Sequence, residues 1–184
     1  ESTEENTPST DTGNVSTTET GDTAGNTINT TRPALTLTPG QQTTQTRQIP
    51  TTSTPESAIN PQGRPDLVVT ITNVGYINDS NQFIATTSIS RSMRAGVQFT
   101  IENKGDNVTG NWTFSAILPT NPPFIFQSDM QQNLNPGEKI EYTLGFDKVK
   151  AEKTVEIRVI VDPSNRLTES DKTNNIRTVN VRTY

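Results

Sequence analysis

From Pro65 onward, apolar residues recur at every second position, and before it they do not recur with any period. Leu67, Val69 and Ile71 alternate with Val68, Thr70 and Thr72, and this first run ends near Asn73-Val74-Gly75. A weaker strand is expected over residues 83–88. Val97, Phe99 and Ile101 then oppose Gln98, Thr100 and Glu102, and the run 103–107, NKGDN, supplies a turn. Trp112, Phe114, Ala116 and Leu118 share the next face, against Asn111, Thr113 and Ser115. Beyond the Pro119–Pro123 break come Phe124-Ile125-Phe126, a turn at Asn135-Pro136-Gly137, and a strand with Ile140, Tyr142, Leu144 and Phe146 inward. Strands at 154–162 and roughly 175–183 complete the series. A period of two between turn signals marks half-buried antiparallel strands, and no stretch beyond Pro65 carries a period of 3.6. The pattern predicts an all-β sandwich of seven to eight short strands over 65–184. Its inward residues, Val155, Ile157, Val159, Val161, Val179 and Val181 included, form one core, with the single Trp112 expected at the centre between the sheets.

Composition divides the chain at the same place. Residues 1–64 contain nineteen Thr, five Ser, six Pro and no aromatic residue, whereas all ten aromatics lie between Tyr76 and Tyr184. Such a segment cannot bury enough apolar area to offset about 1–2 kcal/mol of backbone entropy per residue. It reads as a disordered Thr/Ser/Pro-rich stalk or linker. One short segment in it, Ala34–Thr38, could add as a strand to a sheet edge, its own or a neighbour's. The first 64 residues carry seven acids and three arginines, and the remainder thirteen acids and twelve bases. Neither part offers the basic footprint that nucleic acid or an anionic membrane surface requires. No apolar run approaches the roughly 18–20 residues that cross a bilayer, so an export signal or anchor is expected to lie outside this chain.

The last two strands flank a polar loop in the sequence VEIRVIVDPSNRLTESDKTNNIRTVNV. Pro163 has no amide donor, and Asp and Asn side chains capture nearby backbone amides, so the strand must stop at Asp162 and an ordered loop must follow. Together with PDLVV at 65–69, FTIENKG at 99–105 and the Pro-Gly-Glu turn at 136–138, this closing motif resembles CARDB, the cell-adhesion-related domain found in bacteria. The resemblance covers nearly all of 65–184 and none of 1–64. It implies an immunoglobulin-like sandwich of a mostly non-catalytic kind, carried on secreted or cell-surface proteins, with a protein or a cell-surface polysaccharide as partner. CARDB sequences often place an acidic residue two positions before the paired asparagines, where this chain has Lys172.

The chain contains no cysteine and no histidine. Disulfides, thiolate or imidazole metal ligands and a Ser-His-Asp triad are thereby excluded. Carboxylates such as Glu138, Glu141, Glu152 and Glu156 stand among lysines at strand starts and outward positions, as on a solvated face. No constellation of an enzyme is expected, and no cofactor. The loop offers one candidate calcium site, formed by Asp162, Asn165, Glu169, Asp171 and Asn174, since calcium takes six to eight oxygens. The competing reading is architectural and is preferred, because the spacing matches no dedicated calcium loop: Asp162 and Asn165 cap a turn, while Asn174 and Asn175 bond backbone groups. The candidate partner surface is Pro122, Pro123, Phe124, Ile125 and Phe126. There the preferred reading is an edge strand with Phe124 and Phe126 inward and Ile125 outward. Three functions fit this sequence: a binding or adhesion module on a flexible stalk, a subunit that self-associates by strand complementation, or an accessory carbohydrate-binding module of a larger secreted enzyme.

Overall fold

The structure, a computed structural model, describes residues 59–184 throughout and, within the Thr-rich stretch, the strands β1 (Thr30–Arg32) and β2 (Gln41–Gln48). Nine strands follow: β3 (Leu67–Ile77), β4 (Phe83–Ala85), β5 (Ser88–Ile89), β6 (Arg94–Asn103), β7 (Phe114–Leu118), β8 (Phe124–Gln127), β9 (Lys139–Phe146), β10 (Thr154–Val161) and β11 (Ile176–Thr183). They form two sheets, in the orders β1-β2-β9-β6-β3-β4 and β5-β11-β10-β7-β8. The described residues contain no helix, and the fold is the expected immunoglobulin-like sandwich.

The strand count exceeds the expected seven to eight because the run at 83–88 does not stay in one sheet. Phe83–Ala85 pairs with β3, and Ser88–Ile89 pairs in parallel with the end of β11. Within the Thr-rich stretch, read as a disordered stalk with one possible edge strand at Ala34–Thr38, the described strand β2 lies at positions that reading did not single out. All eight residues of β2 pair antiparallel with β9, from Gln41 opposite Phe146 to Gln48 opposite Lys139. Main-chain pairing to an open edge needs no apolar side chain, and threonine suits extended backbone. The segment Ala34–Thr38, expected as the edge-seeking strand, lies outside the described residues.

The core is the alternating set. Leu67, Val69, Val97, Phe99, Ile101, Phe114, Leu118, Tyr142, Leu144, Ile157, Val159 and Val161 are buried, while Ile71 and Val179 lie half-buried at its margin. Close to Ile71, between Ile71 and Asn73, the β3–β6 ladder shifts register in a bulge. Such a bulge inserts a residue and re-aims the side chains beside it. Trp112 is part of the buried core, which also holds a cluster of rings from both sheets. Phe99 and Tyr142 of one sheet lie 5.4 Å and 4.6 Å, centroid to centroid, from Phe114 of the other, and Phe126 adds to it at 5.6 Å. Trp112 is buried just before β7 begins, and its indole N–H donates to the Gln132 carbonyl at 3.0 Å. The Tyr142 hydroxyl likewise finds Gln131 Oε1 at 3.1 Å, as a buried phenol must.

Candidate functional site

The polar loop between β10 and β11 is ordered by its own side chains. Asp162 and Asn165 adopt φ values of 45° and 53°, left-handed backbone that Asp and Asn tolerate better than other residues bearing a Cβ. The Asn165 N–H donates to the Asp162 carbonyl at 2.9 Å. The Asp162 carboxylate accepts from the N–H groups of Arg166 at 3.0 Å and Leu167 at 2.9 Å, and so caps the turn it begins.

Glu169 ties this loop to the start of the domain. Its Oε2 accepts the Leu67 N–H at 2.8 Å and its Oε1 accepts from Asn175 Nδ2 at 2.7 Å. Around it, Ser170 N–H donates to the Pro65 carbonyl at 2.9 Å and Asn174 Nδ2 donates to Asp66 Oδ1 at 2.8 Å. The closing loop therefore grips residues 65–67, where β3 begins. Burial raises the Glu169 carboxyl above its ordinary range; the Asn175 amide, the Leu67 N–H and the Lys172 charge pull it back, and Asp162 pushes it further up.

Lys172 ends among oxygens. Its ammonium hydrogen-bonds Asn165 Oδ1 and the Leu167 carbonyl, the latter at 2.5 Å, and stands 3.6 Å from Asp162 Oδ2 and 3.8 Å from Glu169 Oε1. Of the five candidate calcium ligands, Asp162, Asn165 and Glu169 come together around this nitrogen. Asp171 does not; it is exposed and accepts the N–H and hydroxyl of Thr173, each at 2.8 Å, bonds that hold its carboxyl below the usual range. Asn174 turns to Asp66 instead. The expectation that Asn174 and Asn175 bond backbone groups needs correction, since both amide nitrogens donate to carboxylates. Among the described residues, no three or more His, Cys, Asp or Glu side chains gather as a metal would need.

The segment after the Pro119–Pro123 break forms β8, the last strand of its sheet. Phe126 is buried and Phe124 half-buried, while Ile125 is 56% exposed and lies opposite half-buried Ile117 of β7. Pro122 and Pro123 are exposed on its approach. Leu118 pairs with Phe124 and Ser115 with Gln127, so one side of β8 is satisfied within the domain and its other side has no strand beside it among the described residues.

Several buried polar residues escaped the sequence reading, among them Asn103, Glu138 and Ser115, the last of which was expected to face outward. Asn103 is fully buried: its Oδ1 accepts the Asp66 and Gly105 N–H groups at 3.1 and 3.0 Å, and its Nδ2 donates to the carbonyls of Asn107 and Leu134 at 2.8 and 3.0 Å. The signal was available, because 103 continues the inward parity of 97, 99 and 101. Gly105 beside it has no substitute, since a Cβ there would lie 2.3 Å from the Arg64 carbonyl oxygen. Glu138, expected on a solvated face, is buried instead, and its Oε2 accepts the Asn135 N–H at 2.8 Å to close the Asn-Pro-Gly-Glu turn.

The family model of CARDB matches residues 64–179. Among solved structures, the CARDB domain of a Pyrococcus furiosus protein in complex with di-metal ions is similar, at a TM-score of 0.50 and 18% identity over 66% of this chain and 90% of that one. A domain of a candidate cell surface protein from Methanosarcina acetivorans is similar at a TM-score of 0.40 and 21% identity, over 66% of this chain and 93% of that one. No curated protein matches.

Proposed function

The chain belongs to the CARDB family, a cell-surface-associated family, and on that premise we propose that it is a non-catalytic extracellular or cell-surface module for binding or adhesion, presented on its Thr-rich segment as a stalk. The observation that carries this reading is the edge of β8. An apolar side chain, Ile125, stands exposed on a strand whose outer side has no neighbour among the described residues, next to a Pro-Pro approach. Exposed edges of this kind accept an extended partner strand through main-chain hydrogen bonds, with flanking apolar groups for specificity. A protein that offers an extended strand is the partner class this edge fits, and a cell-surface polysaccharide is the class the binding test sets against it. The test is binding of the labelled chain to intact bacterial cells and to purified cell-wall polysaccharide, with Ile125→Lys as the variant. Binding by the parent that falls at least about tenfold in the variant, with unchanged melting, is expected, because a lysine on an edge strand opposes pairing. Binding that is equal in both overturns the assignment of β8.

A second reading is favoured by β2. This strand lies on the β9 edge of its own chain, and the same eight-residue ladder formed with a second copy would link molecules by strand exchange. Oligomers that grow with concentration and vanish when residues 1–58 are removed would support it. The carbohydrate-module reading has less behind it. Tyr184 is the sole aromatic among the exposed large hydrophobics of the described residues, whereas a sugar platform needs several.

The Pyrococcus neighbour holds di-metal ions. In this chain the oxygen-rich loop does not fit such a group, because the ammonium of Lys172 stands among the oxygens that a cation would use.

A further inference from the structure

The carboxylates of Asp162 and Glu169 are withdrawn from water, with side-chain exposures of 4% and 0%. Both carboxylates accept N–H donors, and a cation close to both offsets the repulsion that remains between two buried acids on one loop. The same loop also aims two neutral oxygens, Asn165 Oδ1 and the Leu167 carbonyl, at the same point. Two carboxylates, an amide oxygen and a backbone carbonyl from a single loop are the donor types of a hard-cation site. What occupies the point here is the chain's own ammonium, whose three N–H groups require acceptors in several directions.

We propose that Lys172 is a tethered cation, taking the place that a divalent ion would otherwise fill among Asp162, Asn165, Leu167 and Glu169, so that this domain closes its β10–β11 loop without metal. An ordinary surface ion pair predicts something different. Lys172 would then face one carboxylate at hydrogen-bond distance and its loss would hardly register. Here both carboxylates lie beyond hydrogen-bond distance, at 3.6 and 3.8 Å, and the shorter contacts are to neutral oxygens, an arrangement centred on a charge rather than on one partner.

The full chain is melted in chelator and in calcium raised to about 10 mM, above the 10⁻⁴–10⁻³ M range typical of extracellular oxygen-liganded sites. Lys172→Gln and Lys172→Arg are compared with the parent. The parent should melt at one temperature in both solutions. Lys172→Gln should melt about 4–8 °C lower in chelator and recover with calcium, because an ion that binds only the folded state adds stability. Lys172→Arg keeps the charge and should lose less than Lys172→Gln, which keeps the test open if the glutamine variant fails to fold. Any of four results overturns the proposal: a parent whose melting rises with calcium, a Lys172→Gln variant that melts with the parent in chelator, a destabilised Lys172→Gln variant that ignores calcium, or an arginine variant as damaged as the glutamine one.

Discussion

Replacing Glu169 with glutamine keeps the side chain's shape and removes one acceptor. The glutamate receives two donors on its two oxygens, the Leu67 N–H at 2.8 Å and Asn175 Nδ2 at 2.7 Å. Glutamine has one oxygen, so in either orientation its NH₂ group meets a donor. One charge-assisted hydrogen bond, worth about 1.5–3 kcal/mol, is lost, and a buried donor left unpaired costs about 1–3 kcal/mol more. Relief from burying a charge, the effect that raises the Glu169 carboxyl, returns part of this. The net loss at neutral pH is expected to be about 2–4 kcal/mol, read as a shift of the urea midpoint at constant m-value. The pH dependence has a definite sign. A carboxyl whose folded value lies above its ordinary 4.5 binds more protons in the folded state between those two values. Stability contributed by this group therefore increases as pH falls through that window, and the variant lacks the gain. The gap between parent and variant should widen as pH falls toward the ordinary carboxyl value. A midpoint unchanged at neutral pH, or a gap that narrows over that window, would refute the assignment of Glu169 as the buried acceptor for β3.

Asn103→Ala removes an acceptor for two N–H groups and a donor to two carbonyls in a site closed to water, and should cost at least about 3 kcal/mol; chemical denaturation followed by circular dichroism measures it, and a loss below about 1 kcal/mol would contradict the bonding described. Trp112→Ala should cost about 3–5 kcal/mol by emptying a buried aromatic site. Parent tryptophan emission at the water-exposed wavelength would show the residue is not in the core.

Much of the fold was legible because a period of two has a single physical meaning on a half-buried sheet. The runs 97–101, 140–146 and 155–161 place their apolar residues inward as the alternation requires. What the pattern could not show was where a strand leaves one sheet for the other, since Phe83–Ser88 carries no mark of its division between β4 and β5. It also could not show β2, a pairing with β9 that no apolar alternation over residues 41–48 announces. In the loop, the turn chemistry of Asp162 was readable from the Asp-Pro sequence. The placement of Glu169 against Leu67, 102 residues away, was not, because nothing local in either segment specifies the other. Glu138 was misjudged because its lysine neighbours suggested solvent, while the neighbouring Asn-Pro-Gly turn supplied a backbone donor for it.

The grip on residues 65–67 has a mechanical consequence whenever force reaches the domain from its amino-terminal side. Main-chain and side-chain groups of Pro65, Asp66 and Leu67 are fastened to Ser170, Asn174 and Glu169 on one sheet's connection and to Asn103 and Lys104 on the other's. A pull from that side reaches residues 65–67 only once β2 has left β9; there it loads both sheets together through several bonds at once. Resistance to force is governed by the rate of that opening rather than by equilibrium stability. The loop that closes the sandwich is thus expected to be its anchor bolt under tension, and weakening Glu169 should shorten the lifetime of the loaded domain more than its melting temperature suggests.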